Sequence, residues 1–213
     1  MAFRKTAGCM ILAGVAALSA AQFPMRHEHP RKACAGTMTI DERGVSFAGP
    51  RGHAWTWPFQ EIQRLTVSPE AVTVLTYNGT KWNILGDRRL VFRGAVPAAE
   101  LYPLLRDRMD QRLVAAIAWD TGAAWAIPVK LLGTGSQGAI AFGERAIVYS
   151  TEAPGGSRTW RFSDIGTIAS AGAFDLSLTT LEGAFHFQLK QPLAESRYDE
   201  LWMEVQRRNG KLP

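Results

Sequence analysis

The sequence has few of the residues that build chemical sites. Of its 213 residues only two are cysteine and four are histidine, and Lys and Arg exceed Asp and Glu by five. So small a positive excess is not the charge footprint of a nucleic-acid-binding protein, and we expect no nucleic-acid partner. His186 lies between two phenylalanines in an alternating run, which predicts an exposed strand histidine rather than a catalytic base. With no catalytic constellation in the pattern, the sequence predicts a protein that is not an enzyme.

An apolar run at the N-terminus extends from Cys9 to Leu18. Arg4 and Lys5 precede it, and small residues follow it up to Ala21. This order is typical of a secretory signal peptide, and the run is short for a membrane span. We therefore expect residues 1–21 to be removed and the protein to be exported, periplasmic or secreted. The alternative is an uncleaved N-terminal anchor, the one case in which we expect membrane contact.

Cleavage leaves Cys34 as the sole cysteine, so the mature chain could form no intramolecular disulfide. The simplest expectation is a thiol buried in the core, and we expect no cofactor. The alternative hypothesis is a metal- or redox-linked protein. His27, His29, Cys34 and His53 supply enough nitrogen and sulfur ligands for zinc or copper, although their spacing matches no standard motif.

A hexapeptide that occurs twice organises the rest of the chain. Residues 57–62 and 160–165 both follow the pattern Trp-x-Phe-x-acid-Ile, 103 residues apart. This repeat predicts two copies of one fold, residues 22–120 and residues 121–213. The spacing of its apolar residues predicts a strand that bends into a turn, where the carboxylates of Glu61 and Asp164 would accept backbone N–H groups.

Short alternating segments separated by turn residues predict a mainly β fold with two helices. Hairpins are expected at residues 36–47 and 139–149 and around Asn78–Gly79. Apolar residues at helical spacing predict a helix with a stripe from Leu101 to Ile117, and a second helix buries Tyr198, Leu201, Trp202 and Val205. Pro128 predicts that residues 125–132 form an edge strand. The G-x-G-x-x-G pattern at residues 133–138 is expected to be a loop between strands, because a strand pattern follows it.

Seven short strands, a terminal helix and a central tryptophan in each half resemble the pleckstrin-homology-like (PH/GRAM-like) superfold. The tandem arrangement behind a signal peptide is similar to uncharacterised exported bacterial proteins. The resemblance implies two bent barrels, each of about seven antiparallel strands capped by a C-terminal helix.

The same resemblance implies a binding role. The basic motif with which family members bind lipid headgroups is missing, although Arg31 and Lys32 lie in the first half, so binding of anionic lipids is less favoured. We predict a non-enzymatic module that recognises a protein or peptide through a strand edge, or through the groove between an edge and a helix.

Overall fold

The computed structural model describes residues 20–28, 33–50, 52–77, 88–123 and 125–212. In these ranges the chain is mainly β with two α-helices, as the sequence predicts. The elements of the first half are β1 (Ala21–His27), β2 (Cys34–Ile40), β3 (Gly44–Ala48), β4 (Ala54–Pro58), β5 (Ile62–Ser68), β6 (Ala71–Thr76), β7 (Arg88–Arg93), α1 (Ala98–Arg108) and β8 (Leu113–Ala115). Those of the second half are β9 (Trp125–Leu131), β10 (Gln137–Phe142), β11 (Ala146–Thr151), β12 (Arg158–Arg161), β13 (Ile165–Ala169), β14 (Asp175–Thr180), β15 (Gly183–Leu189) and α2 (Glu195–Arg208).

Two predicted features lie outside these ranges. One is the Asn78–Gly79 hairpin turn, and the other is all of the predicted signal peptide except residues 20 and 21. The other two predicted hairpins are confirmed, because β2 pairs with β3 and β10 pairs with β11, each antiparallel.

The strands of the described residues form one mostly antiparallel sheet. It runs β13-β14-β15-β9-β10-β11-β12-β8-β5-β6-β7-β1-β2-β3-β4. The short strand β8 joins the two halves, because it pairs in parallel with β5 and, through Ala115 opposite Thr159, antiparallel with β12. The predicted division into two bent barrels therefore stays a prediction.

The buried apolar residues fall into two clusters. The first contains residues between Phe23 and Ile117. The second contains residues between Ile127 and Val205. The boundary expected at residue 120 falls between the clusters.

The hexapeptide forms the predicted strand and turn in both halves. β4 and β12 each end in a short 3₁₀ helix, residues 59–61 and 162–164, and the chain then enters β5 and β13. In the second copy the backbone N–H of Arg161 donates to Asp164 Oδ2 at 3.0 Å, which confirms the turn role predicted for that carboxylate.

The prediction that the first helical stripe runs to Ile117 is wrong. α1 ends at Arg108, Asp110 has a φ of 49°, and residues 113–115 form β8. All three residues of β8 are buried, because the strand lies between β5 and β12. A strand that is buried on both faces gives a continuous apolar run, which periodicity cannot distinguish from a helix face.

The prediction that residues 125–132 form an edge strand is also wrong. β9 lies between β10 and β15. Along β9, pairing with β15 begins at Val129. The residue before it, Pro128, accepts the backbone N–H of Lys190 through its carbonyl at 2.8 Å. Pro128 therefore sits at the end of a ladder, where a missing N–H group interrupts no strand pairing.

Strand β1 was not predicted from the sequence. Residues 21–27 and residues 125–131 both have proline at their fourth position and are buried at their third, fifth and seventh positions. The two strands also pair in the same way with β2 and β10. These two segments, 104 residues apart, are a second internal repeat, and this repeat could have revealed the strand. The first residue of β1, Ala21, is the last residue of the predicted signal peptide.

Candidate functional site

Two of the four predicted metal ligands are in contact. Cys34 lies at the start of β2, and its Sγ is 3.5 Å from Nδ1 of His53. His27 lies directly opposite Cys34 in the β1–β2 ladder, but its ring is buried, with the ring centroids of Trp55 and Phe92 at 4.8 Å and 4.9 Å.

The fourth predicted ligand, His29, lies outside the described residues. Within the described ranges, no group of three or more His, Cys, Asp or Glu side chains is arranged to hold a metal ion. A zinc or copper site stays a prediction. Cys34 is half-buried against the first core, less buried than a core cysteine was expected to be.

One histidine has a hydroxyl partner that the sequence did not predict. His186 is exposed on β15, as expected, and its Nδ1 lies 2.8 Å from Oγ of Ser177, which faces it from β14. No described carboxylate hydrogen bonds to His186, and neither residue lines the cleft at the junction of the halves or the groove beside α2. A nucleophile needs a base that is itself oriented, and a place for substrate, so this pair supports no catalytic role.

The sheet order ends at β13 and β4, which are the two candidate open edges. The backbone carbonyls of β13 accept side-chain hydrogen bonds from α2 and the residues after it. These bonds run from Asn209 to Ile165 at 2.7 Å, from Lys211 to Gly166 at 3.1 Å and from Tyr198 to Ile168 at 3.4 Å. The edge of β13 is therefore partly covered by the chain itself.

The edge of β4 is open in the described part of the chain. Asp41 N–H donates to the carbonyl of Gly44, so the backbone groups of Gly44 face β2 and those of Pro58, its partner on β4, face away from β3. By alternation, the backbone groups of Ala54 and Thr56 also face outward. All three side chains are exposed. No described residue outside β3 forms a backbone hydrogen bond to β4.

The equivalent edge of the second half is occupied. Thr159, the counterpart of Thr56, pairs with Ala115 of β8. Its Oγ1 donates to the carbonyl of Ile117 at 2.8 Å and accepts the N–H of Trp119 at 2.9 Å. Residues 113–119 therefore occupy along β12 the place that has no described occupant along β4.

An aromatic cluster lies on the inner face of β4. The half-buried ring of Trp55 stacks with Trp57 and with His53, at centroid distances of 6.0 Å and 5.8 Å. The guanidinium of Arg88 lies 5.3 Å from the centroid of Trp55. These rings give the open edge an apolar surface with a cation–π contact beside it.

A groove of about 290 Å³ lies between α2 and the sheet of the second half. Trp125 and Phe142 stack in its floor at 4.0 Å, and the guanidinium of Arg197 lies 5.8 Å from the centroid of Trp125. The strand beside the groove, β9, is paired on both sides, so this groove has no open edge next to it.

No helix in the described ranges is both long and apolar enough to cross a membrane.

No protein-family model and no curated protein matches the chain. Among solved structures, the chain is similar to a chain of the Spt16D Pob3N heterodimer, with 11% sequence identity and a TM-score of 0.34, over 82% of this chain and 98% of that chain. A TM-score of 0.34 is too low to support a conclusion about fold or function.

Proposed function

We propose that the protein is a non-enzymatic, exported binding module of two pleckstrin-homology-like units, residues 22–120 and 121–213, which binds an extended segment of a partner protein along β4. The repeated hexapeptide, the proline strands β1 and β9 and the two separate core clusters support the tandem units. The signal-peptide pattern at residues 1–21 supports export.

The observation that carries the binding role is the difference between β4 and β12. Both are the fourth strand of their half. In each, the backbone groups of a threonine, Thr56 or Thr159, face away from the third strand. Thr159 pairs with a strand of this chain, whereas Thr56 has no such partner in the described ranges. A row of unpaired N–H and C=O groups is a template for an added strand.

The chain itself indicates the chemistry of the occupant. The segment that fills the edge of β12 is apolar, from Leu113 to Trp119, and it runs antiparallel to β12. On β4 the N–H groups of Ala54 and Thr56 and the carbonyls as far as Pro58 face outward. We expect a short antiparallel peptide with apolar side chains at alternate positions, which would lie next to Trp55 and Trp57.

The test blocks the edge without breaking the strand. Thr56→Pro removes the outward N–H and places a ring on the edge, while the bonds of β4 to β3 remain, because proline is tolerated where the N–H faces away from the ladder. Thr56→Val is the matched control, since it keeps the backbone donor.

The probe is a displayed library of random ten-residue peptides, from which binders to the parent chain are selected. We expect peptides with alternating apolar residues that bind the parent and Thr56→Val equally and lose at least about tenfold in affinity for Thr56→Pro. A library that yields no binder, or peptides that bind Thr56→Pro as well as the parent, would overturn the role of β4.

A second candidate, the metal- or redox-linked protein, is favoured by the contact between Cys34 and His53. The test is thermal melting of residues 22–213 with and without stoichiometric zinc or copper, in the parent and in Cys34→Ala. A ligating thiol predicts a rise in melting temperature in the parent that is absent in the variant, because an ion that binds only the folded state stabilises it. An equal response of the two chains would count against the metal hypothesis.

A further inference from the structure

A second candidate site lies where the two halves meet. A cleft of about 320 Å³ is enclosed by α1, by the chain after β8, by the turn between β10 and β11, and by the end of β12. Its lining includes Tyr102, Arg106, Trp119, Arg145 and Arg161. This volume is at the lower end of the usual range for small-molecule sites, so the cleft suits a small ligand.

An aromatic wall and a hydroxyl donor are provided by one side of the cleft. The rings of Tyr102 and Trp119 lie 5.3 Å apart. Tyr102 is only 4% exposed, and no described residue hydrogen bonds to its hydroxyl. A tyrosine hydroxyl is protonated at neutral pH and can donate, and burial raises the pKa of Tyr102 further, to about 12. A hydroxyl that no described residue occupies, at the wall of a cavity, can donate to a ligand that enters the cavity.

The arginines of the cleft differ in what they already bind. All three guanidinium nitrogens of Arg161 already have partners. Nε and Nη2 donate to Asp164 at 2.8 Å and 2.7 Å, and Nη1 donates to the carbonyl of Arg106. Arg145 is exposed and forms no ion pair with any described residue. The third arginine, Arg106, donates through Nε to Asp107 Oδ1 at 3.3 Å. Arg145 is therefore the arginine of the cleft that has no ion pair with a described residue, and its guanidinium can pair with a ligand.

The turn that carries Arg145 is held against the chain after β8. A Cβ on Gly143 would lie 2.6 Å from Oγ1 of Thr121, so only glycine allows this close approach. The N–H of Gly143 also donates to the carbonyl of Ala146 at 3.0 Å, which closes the turn. Arg145 thus stands on a turn that is packed against the same segment that supplies Trp119.

We propose that this cleft binds a small carboxylate with an apolar, planar body. The body lies against Tyr102 and Trp119, Arg145 pairs with the carboxylate, and the hydroxyl of Tyr102 donates to it. Asp107 and Glu144 also line the cleft. Their negative charge opposes any anion, and it opposes the doubly charged form of phosphate more strongly than a monoanion. The cleft contains no residue of β4, so this site does not depend on the proposed peptide binding.

The test measures binding to the full chain by calorimetry with three probes, benzoate, acetate and inorganic phosphate. We expect benzoate to bind more tightly than acetate, which lacks the planar body, and more tightly than phosphate. Arg145→Ala should weaken benzoate binding by about tenfold or more, because a charge-assisted hydrogen bond is lost. Tyr102→Phe should weaken it by about threefold to tenfold, because it removes one neutral donor.

The chain offers a matched control in Arg43. Arg43 occupies the equivalent turn, between β2 and β3, and does not line the cleft. Arg43→Ala should leave the affinity for benzoate unchanged, which shows that net charge is not the cause. The proposal is overturned if no probe binds, if Arg43→Ala and Arg145→Ala weaken binding equally, or if phosphate binds more tightly than benzoate. Melting temperatures of the two variants without ligand establish that both are folded.

Discussion

At the scale of single residues, the polar groups at the junction between the halves are unusually buried. Arg161 and Asp164 form a two-bond ion pair in which both side chains are mostly buried. Burial raises the pKa of Asp164 above its ordinary value, an effect that the hydrogen bonds and the charge of Arg161 oppose. Such a pair fixes geometry more than it adds stability, because desolvation offsets much of its attraction. Its structural effect is to hold Arg161 against α1 and away from solvent.

Tyr102 gives a prediction at the residue scale. Unfolded tyrosine loses its proton near pH 10, whereas folded Tyr102 keeps it until about pH 12. Between these values the folded state binds more protons, so this contribution to stability is complete below pH 10 and is lost as the pH rises towards 12. The full effect is roughly 2.5 kcal/mol.

Urea unfolding of the parent and of Tyr102→Phe at about pH 9 and about pH 11 measures this effect. The two chains should agree within about 0.5 kcal/mol at the lower pH, because the lost hydroxyl has no described hydrogen-bond partner. At the higher pH the variant should be more stable by roughly 1 kcal/mol. Tyr77→Phe, at an exposed tyrosine, is the control and should follow the parent at both pH values. A gap between parent and Tyr102→Phe that stays constant would contradict the prediction.

At the scale of elements, local chemistry predicted much of the structure. The turns at Gly44 and Gly143 and the alternating strands beside them specified two hairpins. Gly210, with a φ of 67°, lies just past the end of α2, as its position in the sequence indicated. The G-x-G-x-x-G segment is a loop between β9 and β10, as expected from the strand that follows it. These features depend on backbone preferences of a few neighbouring residues, which sequence alone carries.

The errors concern elements whose character is set by distant partners. β8 is a strand because β5 and β12 lie on its two sides, and neither is near it in sequence. Trp202 was expected in the buried stripe of α2, yet it is exposed, because the contact of that helix with the sheet is made by Leu201 and Val205. The edge position of β4 among the described strands was likewise unpredictable, since it depends on which strands pair with one another. Pairing between strands is a property of the fold rather than of the local pattern.

At the scale of the whole molecule, the two halves are joined by a few specific bonds. β8 adds to the sheets of both halves. Beyond it, Arg64 donates to the carbonyl of Leu181 at 3.1 Å, and Gln111 donates to the carbonyl of Ser163 at 2.7 Å. Thr159 also holds this junction, because its hydroxyl bonds to two backbone groups of residues 113–119, which we call the connecting segment. The residue is only 3% exposed.

Thr159→Val tests how strongly this junction stabilises the molecule. The substitution keeps the shape of the side chain but leaves the carbonyl of Ile117 and the N–H of Trp119 without their bonds. A buried polar group that loses its partner costs about 1–3 kcal/mol, so we expect the free energy of unfolding to fall by about 2–3 kcal/mol. The measurement is urea unfolding of the parent and the variant, followed by tryptophan fluorescence and circular dichroism.

Thr56→Val is the matched control, because the two threonines occupy the same position of the repeated unit. Thr56 is exposed and forms no hydrogen bond through its side chain to a described residue, so its replacement should change stability by less than about 0.5 kcal/mol. If residues 113–119 couple the halves, fluorescence and circular dichroism report a single unfolding transition of the parent. Thr159→Val then either lowers the urea concentration at its midpoint or separates it into two transitions. Equal effects of the two substitutions would mean that the hydroxyl of Thr159 is dispensable and that the other contacts of the junction join the halves.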